Sequence, residues 1–183
     1  MTDETQVKKF SSEVRKNTDC IDAVINNAGR ASMNHFLLTP GETADKVMKL
    51  NYMGAYYCSR AFINLLKKSD HARIVNFSTV AVPLSLEGEI AYVASKAALE
   101  AFSKVLAKEL AQFKITVNCI GPTPVKTDLI VKVPQDKLDG LLSMQAIKRF
   151  GEFIDVTNVI DFYLKPESDF ITGQIIYLGG VIK

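Results

Sequence analysis

Three short apolar runs, Ile21 to Asn26, Arg73 to Phe77 and Ile115 to Ile120, each end in a turn signal and lie more than a helix's length apart. Hairpins join antiparallel strands through loops of about two to five residues. Intervals this long instead carry crossover helices, and strands joined that way run parallel with right-handed connections. The runs are β-branched and nearly continuous rather than alternating, the pattern of strands covered on both faces. A fourth run, Gly173 to Leu178 (GQIIYL), closes at Gly179-Gly180. In such sheets the chemistry collects at the C-terminal edge of the strands. The turns after Asn26, Phe77 and Ile120 should therefore stand in one row.

The intervening stretches read as helices. Residues 4–17 place Val7, Phe10 and Val14 on one narrow apolar face. Residues 43–67 contain no proline and predict one long helix. Residues 91–112 give the strongest pattern, with Leu99, Phe102, Leu106 and Leu110 on one face and alanines between. Residues 153–165 form a further helix, stopped before Pro166. Residues 80–90 predict a loop, with Pro83 and Gly88. Residues 123–151 are irregular, with Pro124, Pro134, Gly140 and Gly151; they predict a loop plus one or two short helices, in the position of a mobile lid. The 183 residues fit one domain, 1–183.

Composition excludes several classes of function. Twenty-two Lys and Arg stand against 20 Asp and Glu, a net charge of +2, which argues against an electrostatic nucleic-acid binder. No basic amphipathic stretch and no run of about 18 apolar residues points to a membrane. The opening residues MTDETQVKKF lack the apolar core of a secretory signal, so a cytoplasmic protein is expected. Cys20, Cys58 and Cys119 lie far apart, with no CxxC and no histidine at ligand spacing. They predict buried reduced thiols and no metal.

One pair of residues suggests chemistry. Tyr92 and Lys96 lie four residues apart at the start of the alanine-rich helix, one turn apart on one face. A phenol is too weak an acid to work at neutral pH unassisted, and a neighbouring ammonium favours its ionised form. Such a pair can exchange a proton with a carbonyl or an alcohol. The pair is a weak signal alone, but its setting strengthens it. Ser78-Thr79 ends the strand before Tyr92, and Asn26-Asn27-Ala28-Gly29 ends the one before that. Asn51 sits inside the intervening helix, where an amide side chain fits poorly without a specific task. Gly121-Pro122 closes the strand that follows.

Taken together, the stretches INNAG, KLNYMG, RIVNFST, AYVASKAALEAFSKVLAKEL, ITVNCIGP, KRFGE and ITGQ resemble the short-chain dehydrogenase/reductase superfamily, most closely its 3-oxoacyl-carrier-protein reductase branch. The resemblance runs from the first helix to Gly180. It implies hydride transfer between NAD or NADP and a carbonyl or alcohol, with a 3-oxoacyl thioester as a candidate substrate. By the same resemblance Tyr92 is the general acid, Lys96 lowers its pKa and bonds the nicotinamide ribose, and Asn51 holds a relay water. The family's substrate-binding serine falls at Thr79; Ser78, one residue earlier, points to the opposite face of the strand. Thr79 is expected to serve, with its methyl crowding the carbonyl. Asn26, Ala28 and Gly29 are implied on the adenosine side of the cofactor, with Asn26 also bracing the next strand. Pro122, Val125 and Thr127 are implied against the nicotinamide and its phosphates, with Asp128 just beyond. Thr123 replaces the family's usual glycine, and Leu178 its usual aspartate, in a packing role. His35 reads as a surface or packing residue, and Met144, Phe150 and Phe153 as core packing rather than an acyl pocket.

The family's first strand and Gly-rich pyrophosphate turn have no counterpart before Asn26. The expected fold is therefore α/β: a partial, Rossmann-like, doubly wound parallel sheet lacking the first βαβ units. About 60 residues would be missing, at about 30 per βα unit. In the family's strand order the absent strand borders Ala23-Val24-Ile25. An open apolar edge is expected there, and with it a homo-oligomer or a complex with a full-length relative. The missing cradle leaves a second expectation open: a non-catalytic accessory subunit.

Overall fold

A computed structural model of the chain describes residues 1–127, 130 and 133–181. Helix α1 (Glu4–Asn17) is capped by the Asp3 carboxylate, which accepts from the Gln6 amide at 3.1 Å. Strand β1 (Ala23–Asn26) follows, then α2 (Gly41–Met48), α3 (Gly54–Leu66) and β2 (Arg73–Phe77). A short turn of helix, α4 (Ala81–Leu84), precedes the long α5 (Ile90–Leu110). Strand β3 (Thr116–Gly121), α6 (Gln135–Ser143), α7 (Phe153–Leu164) and β4 (Ile175–Tyr177) complete the order.

The four strands form one parallel sheet in the order β1-β2-β3-β4. The central pair is fully covered, and alternate residues feed two cores. Ile74 and Val117 join Leu66 of α3 with Ala107 and Leu110 of α5 on one face. Val75 and Ile120 meet Tyr163 of α7 on the other, with Leu178 packed beside them as expected. The Tyr163 hydroxyl donates to the Cys119 carbonyl at 3.0 Å. Arg73 is 1% exposed, an extreme burial for a guanidinium. It donates to the carbonyls of Tyr163 and Lys165, at 3.0 and 3.1 Å, and pairs with Asp169. The helix's orphan C-terminal carbonyls thus receive a positive charge, and α7 is tied to the foot of the sheet.

Three sequence expectations need correction. The helix over residues 43–67 is not continuous: Lys49–Met53 form a π-helical turn between α2 and α3, with Asn51 inside it. The loop at 80–90 contains α4. Cys58 and Cys119 are buried, but Cys20 is exposed. All three are free thiols. Among the described residues no helix is long and apolar enough to cross a membrane.

Candidate active site

The row of strand ends opens onto a cavity of about 1010 Å³. The turn after β1 contributes Asn27, Gly29 and Arg30; the turn after β2 contributes Ser78 and Thr79. Tyr92 and Lys96 enter from α5, and Pro122, Thr123, Val125 and Thr127 from the turn after β3. Segments from α6 and α7 complete the wall.

Tyr92 and Lys96 are both almost fully buried, 8% and 4% exposed. The Lys96 ammonium donates to the Phe77 carbonyl at 2.6 Å and lies 5.9 Å from the Tyr92 ring centroid. Burial dominates the proton affinity of each. It pushes the Tyr92 phenol up to about 12; the Thr79 side chain opposes this by hydrogen-bonding the phenol, and the Glu89 charge adds to it. Burial draws Lys96 down to about 8. The lowering of the tyrosine expected from its lysine neighbour is therefore not what this geometry gives. The ammonium is spent on a strand carbonyl, and desolvation of the phenol wins.

Thr79 accepts from the Ala81 amide at 3.2 Å, which starts α4 and fixes the hydroxyl beside Tyr92. Ser78 also borders the cavity, but its hydroxyl is engaged elsewhere. Its hydroxyl donates to the buried Glu100 carboxylate, which also accepts from the Tyr177 hydroxyl at 2.7 Å. Ser78 is thus committed to a structural network, as the alternation of strand residues implied.

Asn51 explains the π-helical turn. The insertion carries its amide toward α5 and the loop after β1. Its Nδ2 donates to the Ser95 hydroxyl at 2.9 Å and to the Arg30 carbonyl at 3.0 Å, and its Oδ1 accepts from the Arg30 amide at 2.9 Å. The loop is pinned so closely that a Cβ on Gly29 would stand 3.3 Å from both Asn51 Oδ1 and Lys96 Nζ. Glycine there keeps the space beside the lysine open.

The other sequence candidates divide. Gly29, Pro122, Val125 and Thr127 line the cavity, and His35 joins them at its rim. Asn26 and Ala28 are not on its wall. The Asn26 amide donates to Asn76 at 2.7 Å and to Ser59 at 3.1 Å, bracing β1 against β2 and α3. Met144 and Phe153 are not core residues: they are 53% and 68% exposed and line the cavity. Phe150 lines a smaller neighbouring pocket, with the Lys126 ammonium 5.3 Å from its ring centroid. Asp128 lies outside the described residues. Sequence reasoning passed over two cavity-wall groups, Glu89 and Lys137. The position of Glu89 three residues before Tyr92 was the available signal.

The family model for enoyl-(acyl carrier protein) reductase matches residues 1–180. The chain belongs to the short-chain dehydrogenase/reductase superfamily. It is 32% identical to the chloroplastic NADPH-dependent aldehyde reductase 2 of Arabidopsis thaliana, over 98% of this chain and 68% of that protein. It is 29% identical to the 3-oxoacyl-[acyl-carrier-protein] reductase of Haemophilus influenzae, over 98% of this chain and 74% of the relative. The ligand-free aldohexose dehydrogenase of Thermoplasma acidophilum superposes with a TM-score of 0.88 at 26% identity, covering 98% of this chain and 75% of that one. The family is one of oxidoreductases, and the parallel four-stranded sheet is its Rossmann-like fold.

Proposed function

We propose that the chain moves a hydride between NAD or NADP and a carbonyl or alcohol, with a 3-oxoacyl thioester among its candidate substrates. One observation carries this reading: a phenol, an ammonium and a threonine hydroxyl meet in a single cavity at the strand ends. Tyr92 gives its proton to the substrate oxygen in reduction and takes one in oxidation. Thr79, whose hydroxyl stands beside the phenol in the same cavity, positions that oxygen. Lys96 bonds the nicotinamide ribose and restores the proton on Tyr92. Asn51 holds the loop of Gly29 and Arg30 against the pair.

The residues present fit the nicotinamide half of a dinucleotide. Gly29, which the resemblance implies on the adenosine side, instead leaves space beside Lys96 that a side chain would fill, and Pro122, Val125 and Thr127 lie along the adjoining wall. When bound, the nicotinamide supplies or receives the hydride. The structural relatives include an NAD⁺-bound xylitol dehydrogenase at 25% identity and a TM-score of 0.88, which supports a nicotinamide cofactor.

Titrating NADH and NADPH into the purified chain tests the reading. Saturable micromolar binding, with ketone turnover that Tyr92→Phe abolishes, is the expected result. Silence up to millimolar nucleotide, or turnover that survives Tyr92→Phe, refutes it. A second reading, an accessory chain that completes its sheet against a second copy or a full-length relative, is favoured by the edge strand. In the described sheet β1 has one neighbour, and Ile25 is 43% exposed. A strictly monomeric species in light scattering at micromolar concentration removes that reading.

A further inference from the structure

The cavity wall carries a carboxylate that the proposed hydride transfer does not use. Glu89 stands at the N-cap of α5, three residues before Tyr92, and both residues line the cavity. An N-cap side chain ordinarily accepts from the backbone of the first helical turn. That of Glu89 makes no such bond. Among the described residues it has no hydrogen-bond or ion-pair partner of any kind, although it is only partly exposed. Burial pushes it up to about 7, and the charge of Lys137 on α6 opposes that rise from a distance. The Lys137 ammonium sits 3.6 Å from where a Cβ on Gly88 would stand. The remaining titratable groups around the cavity are Arg30 on the loop after β1, Glu87 on the same loop as Glu89, Tyr92 and Lys96 on α5, and His35 at the rim.

We propose that Glu89 determines specificity: its carboxylate accepts a hydrogen bond from a substrate hydroxyl beside the reacting carbon, so hydroxylated carbonyls and polyols are taken in preference to deoxy counterparts. The inference rests on the hydride-transfer reading for the place of the reacting carbon. N-cap and third helical residues are one turn apart, with Cβ atoms about 5–6 Å from each other. Both side chains line the same wall and the Glu89 charge acts on the phenol, so a hydroxyl next to the oxygen that meets Tyr92 has Glu89 as the acceptor on its side of the cavity. A desolvated acceptor left unpaired by a deoxy substrate discriminates strongly, whereas a plain apolar wall does not. Partial exposure of Glu89 lets water compete, so about tenfold to a hundredfold is expected rather than the larger ratios of fully closed sites. The preference depends on the ionised carboxylate. It is nearly full near pH 8, half lost near pH 7 and weaker still below.

Hydroxyacetone and acetone differ by that one hydroxyl. Methionine methyl resonances report their binding to the full chain, because Met33 and Met144 line the cavity. Hydroxyacetone should bind at least tenfold more tightly near pH 8, with a smaller advantage near pH 6. Glu89→Met should abolish the preference. Glu89→Gln, which keeps an acceptor without the charge, should retain a reduced preference with no pH dependence. Equal affinities near pH 8, no response from either methyl, or a preference that survives Glu89→Met would overturn the proposal. Ketone turnover indifferent to the hydroxyl would also overturn it while sparing hydride transfer. Selective hydroxyacetone binding without nucleotide binding would do the reverse.

Discussion

Replacing Asn51 separates its role as a donor from its shape. Asn51→Ala removes three hydrogen bonds, two to the Arg30 backbone and one to Ser95. Net bonds of this kind are worth about 0.5–1.5 kcal/mol each. Arg30 is exposed, so water repairs its two losses in part; Ser95 is fully buried, but its hydroxyl still donates to the Tyr92 carbonyl at 2.7 Å. The expected loss is about 2 kcal/mol, or a fall in Tm of about 4–8 °C for a chain of this size. Asn51→Asp preserves the shape but sets an oxygen where Nδ2 now donates to two acceptors. Its burial raises the pKa of the new carboxyl above the usual value of about 3.9. A carboxyl raised in the folded state costs nothing below its unfolded pKa; stability drains away as pH climbs from the unfolded value, and the loss is complete once the folded value is passed. A rise of about two units costs about 2.7 kcal/mol at neutral pH. Urea denaturation near pH 7.5 and near pH 5, each referred to the native chain at the same pH, should therefore find Asn51→Asp weaker than Asn51→Ala at the higher pH. The gap should close at the lower one. An aspartate variant with a pH-independent deficit, or an alanine variant within about 0.5 kcal/mol of the native chain, would refute the assignment of the π-helical turn to loop pinning.

The site and its supporting strand yield two further tests. A Cβ on Gly121 would collide with the Tyr177 ring, which the hydroxyl bond to Glu100 holds in place, so Gly121→Ala should cost about 1–3 kcal/mol in urea denaturation. A loss below about 0.5 kcal/mol would mean that the ring swings aside freely. In ultraviolet difference titration, the one phenol present in the native chain and missing from Tyr92→Phe should stay mostly protonated at pH 10.5, since burial moves it up to about 12. Half-ionisation near pH 10, the ordinary value for an exposed tyrosine, would contradict that balance.

The sequence disclosed the features that repeat. Val and Ile runs ended by turns fixed the strands at 73–77 and near 23–26, and the row of their C-terminal ends followed from parallel connection alone. Tyr92 and Lys96 were legible because helical spacing obliges residues four apart to share a face. The different partners of the Ser78 and Thr79 hydroxyls were legible because strand residues alternate. Other features depended on tertiary packing, which local pattern does not encode. The π-helical turn leaves no periodic trace: residues 43–67 read as one uninterrupted helix, and only the misfit of an amide at Asn51 marked the place. Met144 and Phe153 look like core residues by type, yet they line a cavity wall whose position depends on how α6 and α7 pack across the strand ends. Glu89 was passed over because a glutamate at a helix start is ordinary capping chemistry. Its significance comes from the bond it fails to make.

The proton balance of the central pair also has to be argued from packing. Spacing alone suggests that the ammonium lends its charge to the phenol. In the folded chain both groups are desolvated, and desolvation drives them toward neutrality from opposite sides: Tyr92 up to about 12, Lys96 down to about 8. Their shared resting state is a neutral phenol beside an ammonium whose hold on its proton has been weakened. That arrangement keeps the phenol in the protonated form that reduction of a carbonyl requires, with a lysine poised to replace the proton, although burial also makes the phenol the weaker acid. Taking a proton from an alcohol needs the phenolate, which burial disfavours. The ammonium is already committed to the Phe77 carbonyl at 2.6 Å, so a contact that turns it from that carbonyl toward the phenol would strengthen the tyrosine as an acid. Glu89, whose charge raises the phenol further, pulls the other way. A substrate hydroxyl that spreads the charge of that carboxylate would lighten this opposition, so recognition at Glu89 and proton transfer at Tyr92 share one electrostatic field.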